Sequence, residues 1–367
     1  MFFILQLIAW TLLGIQIVYL IVFLVAFARK RVKPESNTPP VSIIVCTHDE
    51  EKNIRELLPI LLQQDYPEME VIIVEDRSND GTYDYLLDAT KKDPRLKMVR
   101  VQHLPGHING KKFALTLGIK AATHEWVVLT DADCRPESNQ WVRTMASCFQ
   151  NEKQIVVGYS PFIKAKGHLN AFIRFESLLT GIQFIGWALL GRPYMGVGRN
   201  LAYRKALFLE HKGFNNYLSV TGGDDDLFVN EHATKSNTAV NITKGSLVRS
   251  LPKKTWREFF YQKLRHLSAG KRYRISDKLM LGLFSLTWVL SWIFVLPVLI
   301  IVPLETFLWS GFLLRELLLI SVVHRASRTL GDPFESWETP LLDFNYAIYY
   351  LGTGLAAWVS KRVRWKI

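Results

Sequence analysis

Between residues 41 and 130 one pattern recurs: a short run that is apolar at almost every position, a polar cluster, then a stretch with helical spacing. The runs are 41–46, 70–74, 96–101 and 126–130, and the helical stretches between them are 51–64, 82–92 and 111–122. A strand with one wet face alternates apolar and polar residues. A continuously apolar strand is buried on both faces, as happens when crossover helices cover a mostly parallel sheet. The pattern therefore predicts an α/β domain. Ligands of such sheets bind at the carboxyl ends of the strands, so the polar clusters that close the runs are where function is expected.

Three clusters stand out: Thr47-His48-Asp49-Glu50, Glu75-Asp76 with Ser78 and Asp80-Gly81-Thr82, and Asp131-Ala132-Asp133. Alternate side chains of an extended chain point the same way, so Asp131 and Asp133 are expected to converge. Paired carboxylates suit a hard divalent ion of the kind that holds phosphates; the alternative is that one of them caps the next helix. Asp76, nearer its strand, is read as a substrate contact, whereas Asp80 is read as a turn and helix cap. Gly110-Lys111-Lys112 opens a helix, and a helix amino terminus beside a lysine attracts phosphate. In Gly222-Gly223-Asp224-Asp225-Asp226-Leu227, adjacent like charges raise the pKa of at least one carboxyl, which suits a general base acting on an acceptor hydroxyl. The competing reading is a solvated acidic turn. Gln262, Arg265 and His266 share one helix face by their spacing. Arg265 can steady a diphosphate, or the stretch is an ordinary basic surface helix.

The apolar residues are unevenly spread. Residues 1–28 carry no charge and exceed the roughly 20 residues that cross a bilayer as a helix. With no basic segment before them and no small-residue cleavage site after them, they read as an anchor rather than a signal peptide. Arg29, Lys30, Arg31 and Lys33 follow, which places the next segment in the cytoplasm. A second apolar block, 279–323, is interrupted by Pro297, Pro303 and Glu305 and reads as a hairpin of two helices. A third, 341–360, is closed by Lys361, Arg362, Arg364 and Lys366 and reads as a span or as a re-entrant segment. Residues 256–274 are basic, aromatic and amphipathic, as in a helix lying on a bilayer. The net charge is +12, but the basic residues gather beside the apolar segments, which fits an anionic membrane rather than nucleic acid. Cys46, Cys134 and Cys148 form no CxxC pair, which argues against structural zinc, and they lie in the inferred cytosolic part, where disulfides are rare.

Taken together, these motifs resemble the membrane-embedded branch of the family 2 glycosyltransferases, which have the GT-A fold. The likeness covers about 41–272. It rests on 41–50, on Glu75-Asp76 with Asp80-Gly81-Thr82, on Gly110-Lys111 with Ala114-Leu115 and Gly118, on the DxD motif Asp131-Ala-Asp133, and on Gly196-Val-Gly198-Arg199-Asn200. The family's Glu-Asp pair aligns with Gly223-Asp224, so the resemblance implies Asp224 as catalytic base, with Asp225 the alternative. Its Gln-x-x-Arg-Trp motif aligns with Gln262 to His266. The histidine in place of tryptophan argues against processive polymer synthesis. The resemblance further implies a GT-A (Rossmann-like) cytosolic domain at 41–254 between an N-terminal transmembrane helix (1–28, then a linker at 29–40) and, after an interfacial region at 255–278, a C-terminal transmembrane region at 279–367.

The implied reaction is inverting sugar transfer from a nucleoside diphosphate sugar, UDP-linked in the family's commonest case, to a membrane-associated acceptor such as a lipid or lipid-linked sugar. Asp131 and Asp133 would hold Mg²⁺ or Mn²⁺. Glu50, Asp76, Lys111, Asp131, Gln262 and Arg265 would bind the donor, and Arg199, Asn200 and His266 would face the acceptor. The location implied is a bacterial inner membrane. The alternatives are a processive polysaccharide synthase and a non-catalytic nucleotide-sugar-binding membrane protein.

Overall fold

The computed structural model describes residues 2–29, 38–106, 108–150, 152–218, 220–301 and 306–359. The basic residues Lys30, Arg31 and Lys33, the breakers Pro303 and Glu305, and the tail with Lys361, Arg362, Arg364 and Lys366 lie outside the described residues. The chain forms two units: a sheet unit (31–163 and 191–252) and a helical unit (1–30, 164–190 and 253–367).

In the sheet unit, β1 (Val41–Thr47), β2 (Met69–Asp76), β3 (Leu96–Val101), β4 (Trp126–Leu129), β6 (Ile155–Gly158), β7 (Leu201–Arg204) and β8 (Thr238–Asn241) form one sheet in the order β3-β2-β1-β4-β7-β6-β8, while β5 (Cys134–Pro136) pairs with β9 (Val248–Ser250). The first four strands of the large sheet are parallel, as the apolar runs predict. β7 runs antiparallel to both of its neighbours, and the irregular sequence after residue 151 does not announce this reversal. Helices α2 (Glu51–Leu62), α3 (Thr82–Thr90), α4 (Gly110–Ala121), α5 (Trp141–Ala146), α7 (Lys205–Glu210) and α8 (Asp226–His232) cover the sheet. α4 presses closest. A side chain at Gly118 would start 2.8 Å from the methyls of Ile44 and Val74, so only glycine lets the helix lie against β1 and β2.

The helical unit holds α1 (Phe2–Ala28), α6 (His168–Leu189), α9 (Trp256–Gly270), α10 (Ile275–Leu290), α11 (Leu296–Ile301), α12 (Thr306–Thr329) and α13 (Thr339–Val359). α6 is apolar on most of its faces, and it packs among α1, α12 and α13 rather than on the sheet. Three helical segments among the described residues are long and apolar enough to cross a membrane: Phe3–Ala28, Ile275–Ile301 and Thr306–Thr329. Their outer faces carry exposed Phe3, Ile300, Phe307 and Leu317. α13 does not reach that standard.

Pro297 does not break its helix. A π-helical segment, Ser291–Val295, precedes it and widens the turn where proline lacks an N–H and crowds the carbonyl one turn back. At the centre of the unit, Arg315 is fully buried, pairs with Asp343 of α13 and with Glu316, and lies 4.6 Å from the Trp288 ring. The Trp292 indole N–H also donates to Asp343 (2.9 Å).

Candidate active site

The carboxyl ends of β1 and β2 are laced together. The Asp49 N–H donates to Ser78 Oγ (3.1 Å), Asn79 N–H to Asp49 Oδ1 (2.7 Å), and Glu50 N–H to Thr82 Oγ1 (3.2 Å). Asp80 caps as expected, accepting from the Thr82 and Glu51 N–H groups at 3.0 Å each. Asp49 (φ 54°) and Arg77 (φ 55°) both sit in the left-handed region, which non-glycine residues adopt at a cost and which often marks a functional edge. Asp76 is largely buried and bonds Arg77 Nε through Oδ1 (2.8 Å). Glu50 accepts from Asn53 Nδ2 (2.6 Å).

Asp131 and Asp133 do come together, for a reason other than strand alternation. β4 stops at Leu129, and the two aspartates lie in a turn closed by Cys134 N–H on Asp131 O (3.0 Å). One oxygen of each, with the Cys134 sulfur, lies within 4.8 Å of the others. The donor set fits a hard cation. The two carboxylates are partly exposed, whereas burial raises the Cys134 thiol pKa well above its usual value and keeps the thiol protonated. Asp131 and Asp133 are thus the residues able to hold Mg²⁺ or Mn²⁺, and Cys134 packs behind them.

Lys111, near the start of α4, links this turn to the acidic one. Its Nζ lies 3.0 Å from Asp131 Oδ1 and 3.0 Å from Asp224 Oδ2. Ile44, Cys46, Leu115, Thr130, Gly198 and Asp225 complete the walls of the same small cleft. The adjacent carboxyls separate as like charges should. Against the upward push of burial, Lys111 and Lys112 pull Asp224 down, while burial and the neighbouring Asp224 push Asp225 up. Asp225 Oδ2 accepts from Gly198 N–H (2.7 Å) and Oδ1 from Asp226 N–H (2.8 Å), so this carboxylate ties the 196–200 loop to the cap of α8.

Two of the residues marked in the sequence behave differently from expectation. Asn200 is fully buried; its amide donates to Tyr159 O and Ser246 O (2.8 Å each) and accepts from Trp141 Nε1 (3.0 Å). Both amide N–H donors and one lone pair of the oxygen are thereby engaged inside the core, so Asn200 acts as a core bracket. Lys112, which the sequence did not separate from Lys111, is fully buried and donates to the carbonyls of Val220 and Gly222. Successive residues of a helix diverge by about 100°, so a Lys-Lys pair at a helix start could have signalled two destinations. Arg199 stacks 4.7 Å from the Phe162 ring. Gln262, Arg265 and His266 lie on α9 of the helical unit, where the Gln262 carbonyl is buried and has no hydrogen-bond partner among the described residues.

A mostly parallel sheet that ends in a DxD turn, a helix-start lysine and an acidic turn defines a GT-A domain. Residues 42–209, a little under half of the chain, match the family described as Glycosyl transferase family 2. The chain is similar to the poly-beta-1,6-N-acetyl-D-glucosamine synthase of Staphylococcus epidermidis (30% identical over 149 residues, 40% of this chain and 32% of that one). It is also similar to the GalNAc(5)-diNAcBac-PP-undecaprenol beta-1,3-glucosyltransferase of Campylobacter jejuni (26% over 198 residues, 54% and 61%). In both cases the match spans less than two thirds of the relative. In fold the chain resembles the mannosyltransferase PcManGT from Pyrobaculum calidifontis, determined with GDP-Man and Mn²⁺ (TM-score 0.63, 17% identity, 99% of this chain and 100% of that one).

Proposed function

We propose that the chain is a metal-dependent, inverting glycosyltransferase that moves a sugar from a nucleoside diphosphate sugar to a hydroxyl of a membrane-associated acceptor. The observation that carries this reading is Lys111, held at 3.0 Å from both the DxD aspartate Asp131 and the acidic-turn residue Asp224. A cation binder and a candidate base thereby share one cleft at the strand ends. Mg²⁺ or Mn²⁺ on Asp131 and Asp133 would offset charge developing on the departing diphosphate. Lys111 faces that diphosphate, and Glu50 and Asp76 face the nucleoside. Asp224, kept ionised by its lysine neighbours, takes the proton of the acceptor hydroxyl on the side opposite the leaving group; Asp225, whose oxygens are committed to backbone N–H groups, is the weaker alternative. Gln262 and Arg265 belong to the donor side, and Arg199 and His266 to the acceptor side.

The three membrane-length segments support an acceptor presented at a bilayer, with the catalytic domain on the cytoplasmic face of a bacterial inner membrane and α9 lying along its surface. An undecaprenol-linked substrate in the name of one relative favours a lipid-linked acceptor. Single transfer is favoured over polymer synthesis because His266 replaces the aromatic residue beside the acceptor. The test is a panel of UDP- and GDP-sugars offered to membranes containing the protein, with mass spectrometry of the extracted lipids. The expected result is one lipid product heavier by one sugar, formed only with Mg²⁺ or Mn²⁺. Failure to release nucleoside diphosphate from any donor would refute the reading, and a ladder of long products would turn it toward a synthase.

A further inference from the structure

The segment leading into Asp224 is an unusual piece of chain. Gly222 and Gly223 both have φ +81°, and a side chain at Gly223 would start 2.4 Å from Leu227 Cδ1. A glutamate, which the family carries at this position, would be strained here and would displace Leu227, and the two glycines have no side chains of their own to fix the turn. What fixes it comes from α4. Asn109 N–H donates to Leu218 O (3.0 Å), and the Lys112 ammonium donates to Val220 O (2.5 Å) and to Gly222 O. The ring of Tyr217 lies 5.7 Å from the same ammonium.

We propose that Lys112 is a positioning residue for the transfer reaction: its buried ammonium grips the carbonyls of Val220 and of Gly222, the first of the glycine pair, and so sets where the Asp224 carboxylate stands. The division of labour between neighbours is then plain. Lys111 reaches into the cleft, while Lys112 reaches behind it and touches no substrate. A fully buried ammonium is costly unless its hydrogen bonds are satisfied. A hydrophobic side chain would fill this site at lower cost if packing were all it supplied. The proposal rests on the reading of Asp224 as base.

The test uses the full-length protein in membranes or detergent, with nucleoside diphosphate release from the donor panel as turnover and UDP and GDP, each with Mn²⁺, as binding probes. Lys112→Met should lower kcat by about 100-fold, the cost of displacing a reacting group by roughly 1 Å, and leave nucleotide affinity unchanged. In an Asp224→Asn background the same substitution should cost nothing further, because residues acting through one group are not additive. A lysine that served only the fold would lower the unfolding temperature without this split. If Lys112→Met cannot be purified folded, Gly223→Ala pushes the same turn from the other side and must give the same signature. Full turnover in these variants, or an undiminished loss in the Asp224→Asn background, overturns the proposal. Full turnover of Asp224→Asn by itself overturns instead the base assignment beneath it.

Discussion

Among the described residues, one cluster of cations and carboxylates in the sheet unit can be set beside one in the helical unit, and the two differ in exposure. Lys111 with Asp131 and Asp224 opens on one side, the side chain of Asp131 being 32% exposed. Arg315 with Asp343 and Glu316 is sealed, the first two being 0% exposed. An open cluster can exchange its partners for a ligand's charges. A sealed one can only hold its helices together, because any lost partner leaves a charge buried alone. The same pairing chemistry thus serves function in one place and architecture in the other.

Substitutions that remove one charge should separate the two. The largest effect is expected for Asp224→Asn, which should cut turnover by about 10²–10⁴-fold with an unchanged unfolding temperature and intact nucleotide binding; a wild-type rate would break the contrast at once. Arg315→Met should do the reverse. It should cost about 3 kcal/mol of stability by stranding Asp343, measured by unfolding in detergent, while the folded fraction keeps its KM for the donor. Adding Asp343→Leu should return much of the loss, and a double variant no better than the single would argue against a stranded charge.

Asn200→Ala tests a sealed polar group within the sheet unit. It removes the acceptor of Trp141 Nε1 and one hydrogen bond to each of two carbonyls, and should cost about 2 kcal/mol with little change in acceptor KM. A purely kinetic defect would return Asn200 to the acceptor side.

The smallest expected effect is at Glu70. Burial pushes its carboxyl pKa up, but bonds from Lys97, Ser42 and the Thr123 N–H outweigh this and hold it at about 2 against an ordinary 4.5. A carboxyl lowered on folding adds stability above its unfolded value and loses it as pH falls. The contribution should therefore fade between about pH 4.5 and about pH 2. Glu70→Gln should flatten the acid limb of unfolding in that window, and an unchanged limb would dismiss the assignment.

The parallel half of the sheet was legible because double-sided burial writes itself as unbroken apolar runs. The antiparallel β7 was not, since a four-residue strand flanked by a glycine loop and a short helix carries no period long enough to read. Around the cleft, Asp131, Asp133 and Lys111 were marked by local chemistry, whereas the acidic turn offered three adjacent carboxylates and only the family resemblance singled out Asp224. Asn200 was put on the acceptor side by the resemblance of the 196–200 loop, and nothing in the sequence signals that its amide meets three internal partners. Lys112 was missed because its targets, the Val220 and Gly222 carbonyls, lie more than a hundred residues away in the chain.

Gly118 gives α4 a particular mechanical character. The helix is pinched onto the sheet at that glycine, and its two lysines sit six or seven residues nearer the amino end, about 10 Å along the axis. The separation of helix and sheet is thus set at one residue, and both ammonium groups inherit their depth behind the strand ends from it.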